Sequence, residues 1–425
     1  MKRTVRGLIA ITLVTIIGLA PMRGEAAPAN TTAVRDWNAT AIATIAAAKL
    51  DGLAALRDLA IMHVAIYDAI QAVGAGSTSS QFRLAGTTLY GVPAAASPES
   101  AAAGAARTVL LSLIPSQRTT IDTAYATSLS QIPDSTAKSE GVLMGSWVGG
   151  KILAWRSGDN YNFPVVYSQP LQPGIFQTSA PSGAVSTFMP YVTPFVLQSA
   201  SQFRAPPPPA LTSAQYAADY NEVMSLGSIN STTRTADQTQ IALFWFDDDA
   251  YMWNSVARMV AEQKQTTLTQ DAKLFAELNV AMFDGLIGIF DSKYLYNFWR
   301  PEAAIHAGDT DGNPATAGDA TWTPLRPTPA HPDYPSAHTS SGAAASTVLA
   351  SFFGDATSFS FTTRTVLPAN AVRSYTSFSQ AATEEGVSRI YVGYHFRTAV
   401  NAGATMGHQT GEWTVKNFGS VVPAS

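Results

Sequence analysis

The chain has 425 residues, of which 46% are hydrophobic and only 13% are charged. That is enough apolar material for one large domain or two ordinary ones, and it excludes long disordered tracts. The absence of cysteine excludes disulfides, thiol catalysis and a lipid-anchored cysteine.

The first residues have the pattern of an export signal. Lys2, Arg3 and Arg6 precede an apolar run of 14 residues, Gly7 to Ala20, and Gly24-Glu25-Ala26 supplies small residues for cleavage. The run is short for a membrane span, so residues 1–26 are expected to be a signal peptide and the chain secreted or periplasmic. Without Lys2, Arg3, Arg6, Arg23 and Glu25, 22 basic and 29 acidic residues remain, a formal charge of −7. Such a surface disfavours nucleic acid and anionic membranes as partners. No later stretch is apolar enough for stable membrane insertion.

Apolar residues recur at helical spacing along most of the chain. The spacing predicts helices over 50–74, 100–113, 120–130, 137–156, 213–225 and 235–264. It predicts more over 269–290, 339–353, 369–385 and 399–415. Period-two alternation is scarce, so an all-α fold with a helical-bundle core is expected. Two segments break the pattern. Residues 164–209, rich in Pro, Ser, Gln and aromatics, read as an ordered excursion over the surface or as a linker between halves. Residues 306–334 form a second long loop. The expected organisation is an N-terminal helical half, 27–210, and a catalytic helical domain, 211–425.

Three patches carry chemistry. In the first, Lys293 and Arg300, followed by Pro301, are seven residues apart. On a helix this is about 20° short of two turns, so both cations project from one face. Like charges there repel unless an anion lies between them. The second is Pro335-Ser336-Ala337-His338, opening an Ala-rich helix. Free N–H groups and the positive dipole end favour an anion there, although Ser336 could be an ordinary N-cap. The third holds Ser388, Arg389, Gly393 and His395. Arg389 and His395 are about 120° apart on an ideal helix, so the arginine must reach or the helix must break near Gly393.

In this order the three patches resemble the vanadium haloperoxidase and type 2 phosphatidic acid phosphatase superfamily. The resemblance rests on Lys-x6-Arg-Pro at 293–301, Pro-Ser-Ala-His at 335–338 and Ser-Arg-x5-His at 388–395. The stretch from Arg57 through His63 to Asp68 also resembles the opening helix of secreted bacterial members. The resemblance implies that Lys293, Arg300 and Arg389 hold the equatorial oxygens of vanadate or phosphate, with Ser336 and the Ala337 N–H adding donors. It makes His395 the apical group, a vanadium ligand or a phosphorus nucleophile, and His338 the acid–base group. Two positions depart from the family. Ala337 replaces the usual glycine before the first histidine. Ala399 stands where many members carry an aspartate that supports the second histidine, so His395 is expected to lean on a carbonyl or another acid. Asp247, Asp248 and Asp249 are candidates to offset the cations.

The resemblance implies a vanadate-dependent haloperoxidase whose partners are small molecules: hydrogen peroxide, halide and an organic acceptor. His331, seven residues before His338, resembles the bromoperoxidase pattern and is the candidate halide-site residue. An acid phosphatase acting on a phosphomonoester, and a non-catalytic phosphate-binding module, remain as alternatives. Asp309, Asp311 and Asn313 resemble the start of a calcium loop but lack its closing Glu, so a polar turn is expected. His63, His306 and His408 are read as structural, and Trp245, Trp253 and Trp299 as core aromatics.

Overall fold

A computed structural model describes residues 32–74, 95–178, 183–364 and 371–420; the expected signal peptide lies outside them. Among the described residues there are thirteen α-helices and one two-stranded sheet, in keeping with the all-α expectation. In chain order the helices are α1 (Ala33–Ala48), α2 (Gly52–Gly74), α3 (Pro98–Leu113), α4 (Arg118–Ser130) and α5 (Thr136–Arg156). They continue with α6 (Ala214–Gly227), α7 (Ala236–Phe244), α8 (Asp249–Gln263), α9 (Leu268–Tyr296) and α10 (Pro301–His306). The last three are α11 (Ala337–Phe353), α12 (Phe378–Tyr391) and α13 (Arg397–Asn417).

The 29-residue α9 is the shared axis of the fold. Leu274 to Phe290 is buried along its whole length, and α9 packs against α2 on one side and against α11 and α13 on another. Such all-round burial is what a helix without a polar face requires. One apolar core runs from Ala33 to Phe418, so the two expected halves share it. Small residues allow the closest crossings. A Cβ on Gly145 of α5 would overlap the Ala101 carbonyl of α3. Gly403, Gly407 and Gly411 repeat every fourth residue on one face of α13, where a Cβ would overlap Ser336, Ser340 and Thr347. That face brings α13 against the start of α11, which belongs to the site.

Three expectations need correction. The helix expected over 235–264 is two helices: Trp245 caps α7, and the Asp248 side chain accepts the Ala250 N–H at 2.8 Å to start α8. The helix expected over 369–385 begins with β2 (Val372–Tyr375), antiparallel to β1 (Phe359–Thr362), with Phe359 opposite Tyr375 and Phe361 opposite Arg373. The chain enters α12 only after Ser377, whose hydroxyl accepts the Gln380 N–H. Third, Lys293 and Arg300 do not share a helix: Asn297 adopts a left-handed conformation that ends α9, and Arg300 is the N-cap residue of α10.

Of the two long irregular segments, 164–209 is an ordered excursion whose described part is tied to the core. The Asp284 carboxylate of α9 accepts the N–H groups of Phe195, Val196 and Leu197 at 2.7, 2.7 and 3.0 Å. The 306–334 loop is held by Trp322 Nε1, which donates to the Met224 carbonyl at 2.9 Å, and by Tyr220, whose hydroxyl donates to the Ala317 carbonyl at 2.7 Å. Asp311 accepts from Thr316 and from the Asn313 N–H, and Asp309 accepts from the Gly318 N–H. These carboxylates therefore hold the turn of their own loop.

Candidate active site

The three sequence patches meet at one place. Lys293 comes from the last turn of α9, Arg300 from the start of α10, and Arg389 from the last turn of α12. All three are buried, at 0%, 1% and 3% exposure. Gly393, at φ 85°, breaks the chain after α12 and turns His395 back beside Arg389, whose carbonyl accepts the His395 N–H at 3.3 Å. A side chain at Gly393 would be strained in that conformation and would also meet the Gly227 carbonyl. Ser336, Ala337 and His338 open α11, and His331 lies five residues before Ser336.

Backbone carbonyls orient the cations. Lys293 Nζ donates to the carbonyls of Pro332 and Asp333 at 2.7 and 2.8 Å. Arg300 Nε donates to the His331 carbonyl at 2.7 Å and Nη1 to the Tyr394 carbonyl at 3.0 Å. Arg389 Nη1 donates to the Trp245 carbonyl at 3.0 Å, and its buried Nε has no partner. Burial and mutual repulsion hold Lys293 well below the ordinary lysine range; burial above all lowers Arg300, to about 10, and Arg389. Three cations removed from water around one spot favour an anion between them.

The histidines face this cluster from different sides. His395 Nε2 lies 3.2 Å from Arg300 Nη1, and Nδ1 lies 2.8 Å from Asp333 Oδ1. Asp333 is fully buried, and burial pushes its carboxyl up to about 7 against the pull of Arg300 and Lys293. His338 is half-buried, with Nε2 3.5 Å from Asp249 Oδ1. Loss of water first, then Arg389, holds it well below the ordinary histidine range. The His331 ring lies against Phe290, 5.2 Å between centroids, and Nδ1 is 3.0 Å from Arg300 Nη2.

All three candidate aspartates line the cavity beside His338, but only the Asp249 carboxylate approaches a site side chain. Asp247 pairs with Arg364 at 2.9 Å, and Asp248 caps α8. Asp249 and Glu385 face each other beneath Arg389, and Trp253 Nε1 donates to Glu385 Oε2 at 2.9 Å. Burial and their mutual repulsion raise both carboxyls, so the pair retains a proton. Ser336 is not an ordinary cap: its hydroxyl makes no bond to the helix backbone and instead accepts from Thr339 Oγ1 at 2.8 Å, keeping its own proton for another acceptor. The Ala337 N–H belongs to the first turn of α11, where amides lack intrahelical acceptors.

A cavity of about 530 Å³ opens onto the cluster. His331, Ala337 and His338 line it together with Leu53, Leu286 and Phe290. The remaining histidines are structural, as expected. His63 is buried at 2.8 Å from the Asn38 amide, His306 Nε2 meets the Trp322 carbonyl at 2.7 Å, and His408 meets Thr347 at 2.9 Å. Trp245, Trp253 and Trp299 are buried, as expected of core aromatics.

Asp333 and Glu385 were missed by sequence reasoning. Asp333 lies between His331 and Ser336 in a Pro-rich loop, and that position is the one signal it gives. Glu385 lies one helical turn before Arg389 and reads as a solvated helical acid.

A helical bundle that gathers three buried cations and two histidines offers a site in which an anion would be favoured. The sequence pattern of the VCPO second helical-bundle domain matches residues 273–423, which hold every residue of the cluster except Asp249 and the Trp245 carbonyl. Vanadium chloroperoxidase from Curvularia inaequalis is 27% identical over 204 residues, 39% of this chain and 33% of that protein. The chain thus matches about a third of the length of that curated relative. The structure of a bacterial vanadium-dependent iodoperoxidase superposes with a TM-score of 0.76 at 27% identity, covering 92% of this chain and 98% of that one. A holo bacterial vanadium-dependent chloroperoxidase shares the fold, with a TM-score of 0.68 at 16% identity over 87% and 92% of the two chains. In its C-terminal sequence pattern and in its fold the chain is similar to vanadium haloperoxidases, which are enzymes.

Proposed function

We propose that the chain is a vanadate-dependent haloperoxidase that oxidises bromide with hydrogen peroxide. The observation that carries this reading is the burial of Lys293, Arg300 and Arg389 around His395 with donors to spare. Arg389 Nε, the Ser336 hydroxyl proton and the Ala337 amide fit the oxygens of a tetrahedral anion. The similarity to the iodoperoxidase over nearly the whole chain supports the peroxidase branch.

Vanadate, when bound, supplies a Lewis-acid centre that activates peroxide without changing the oxidation state of the metal. Lys293, Arg300, Arg389, Ser336 and the Ala337 amide would hold its oxygens, and His395 Nε2 would be the vanadium ligand. His338 would hold or deliver a proton on the cavity side at Nε2, with Asp249 at 3.5 Å favouring the charged ring. His331 is the proposed halide-site residue. A niche beside a guanidinium and against Phe290 suits a large, weakly hydrated halide better than chloride, which loses more hydration on burial. The cavity admits small molecules, halide and organic acceptor among them. Residues 1–26 support export to the periplasm or beyond, and the proposed catalytic domain, 211–425, contains every residue of the cluster.

The test is bromide- and peroxide-dependent halogenation of a dione reporter, before and after incubation with orthovanadate. Activity that appears with vanadate and is suppressed by phosphate is expected. Bound vanadate without halogenation, together with phosphomonoester hydrolysis, would assign the same cradle to a phosphatase with His395 as nucleophile.

A further inference from the structure

The apical histidine has a support that its motif does not supply. The position four residues after His395 is Ala399, which contributes only its carbonyl, accepting the Ser336 N–H at 2.9 Å. The loop that ends at Ser336 runs alongside this turn and places Asp333 Oδ1 2.8 Å from His395 Nδ1, a charge contact between two buried atoms that have no other partner and do not meet hydrogen-bond geometry. Asp333 is itself fixed at three points. Its N–H donates to the Phe298 carbonyl at 2.9 Å, its carbonyl accepts Lys293 Nζ at 2.8 Å, and its side chain is fully buried.

The opposite edge of the ring decides where the proton sits. Nε2 lies 3.2 Å from Arg300 Nη1. A guanidinium keeps its protons and has no lone pair to offer, so Nε2 is the acceptor of that contact. In the neutral ring the hydrogen is then on Nδ1, facing Asp333. We infer that Asp333 is a positioning residue that replaces the missing aspartate of the motif. It holds His395 as the Nδ1–H tautomer, with the Nε2 lone pair turned toward the cations. The same residue accepts from Lys293 through its backbone, so one loop position sets both a cradle cation and the apical nitrogen. Outer carboxylates that orient a ligating histidine are worth about 10–100-fold in metal affinity.

The inference rests on the reading of His395 as the apical group, and its test needs no turnover, so its failure is distinguishable from failure of the haloperoxidase reading. Histidine-selective ¹⁵N NMR of the vanadate-free chain, with His395→Gln to identify the signal, should show His395 protonated at Nδ1, with a resonance that Asp333→Ala shifts. By calorimetry Asp333→Ala should bind orthovanadate about 10–100-fold more weakly while inorganic phosphate affinity stays within about twofold, since the cations and donors that hold phosphate stay in place and phosphate takes no bond from His395. Protonation at Nε2 in the unmodified chain, or equal losses for the two anions, would overturn the inference. If Asp333→Ala does not fold, Asp333→Asn keeps the shape and should lose vanadate affinity selectively in the same direction; equal losses for the two anions, or no loss of either, would overturn the role.

Discussion

Asp249 Oδ1 stands 3.5 Å from His338 Nε2. Asp249 is the first residue of α8 and His338 the second of α11, so two helix starts far apart in sequence are brought together. The contact supplies negative charge to a ring that Arg389, Arg300 and Lys293 drive toward neutrality. Asp249→Asn should therefore lower the His338 pKa further and move the acidic limb of the kcat profile for halide oxidation to lower pH. An unchanged profile would remove Asp249 from the proton path.

Lys293 Nζ is held by two carbonyls rather than by a carboxylate. A charge-assisted hydrogen bond contributes about 1.5–3 kcal/mol. Lys293→Ala should weaken binding of both orthovanadate and phosphate by roughly 10- to 100-fold, with the far-ultraviolet circular dichroism unchanged. The parallel loss for both anions separates this cation from Asp333.

Glu277 gives the fold its own pH dependence, away from the site. It is buried on α9, neither carboxylate oxygen has a hydrogen-bond partner, and Lys273 lies 3.6 Å away. Burial raises its pKa from 4.5 to about 7. The folded state thus holds the proton more tightly than the unfolded one, and stability falls as pH rises from about 4.5 through 7. Glu277→Gln should leave the melting temperature nearly unchanged near pH 4.5. Above pH 7 it should gain roughly 1–3 kcal/mol, read as a higher melting temperature.

Gly145 tests the close crossing of α3 and α5. The Ala101 carbonyl occupies the space a Cβ would take, and overpacking of this kind costs about 1–3 kcal/mol. Gly145→Ala should lower the unfolding free energy by that amount, read as a lower denaturant midpoint, while vanadate affinity remains as it was.

The cradle was legible in the sequence because its residues lie in short motifs whose order is that of the family. Lys293, Arg300, Ser336, His338, Arg389 and His395 could each be read, and the break predicted near Gly393 occurs there. Their spatial relations were less legible. The seven-residue spacing of Lys293 and Arg300 implied one helical face, but the left-handed Asn297 ends the helix, and convergence comes from a turn. Asp333 and Glu385 act through contacts of the folded chain, which no periodicity encodes. The start of α8 was readable in principle, because Asp248 with Asp249 after it is an N-terminal helix signal; the apolar spacing across Trp245 masked it. The Gly403-Gly407-Gly411 repeat offers no apolar side chain for periodicity to register, yet it is the contact face for α11.

The central claim is that His395 Nε2 is the point at which the cradle bonds its oxyanion. The most direct measurement is a crystal structure of the chain soaked with orthovanadate. Vanadium is expected at bonding distance from His395 Nε2, with its oxygens contacted by Lys293, Arg300 and Arg389. Vanadate bound elsewhere, or held among the three cations without a bond to His395, would contradict it.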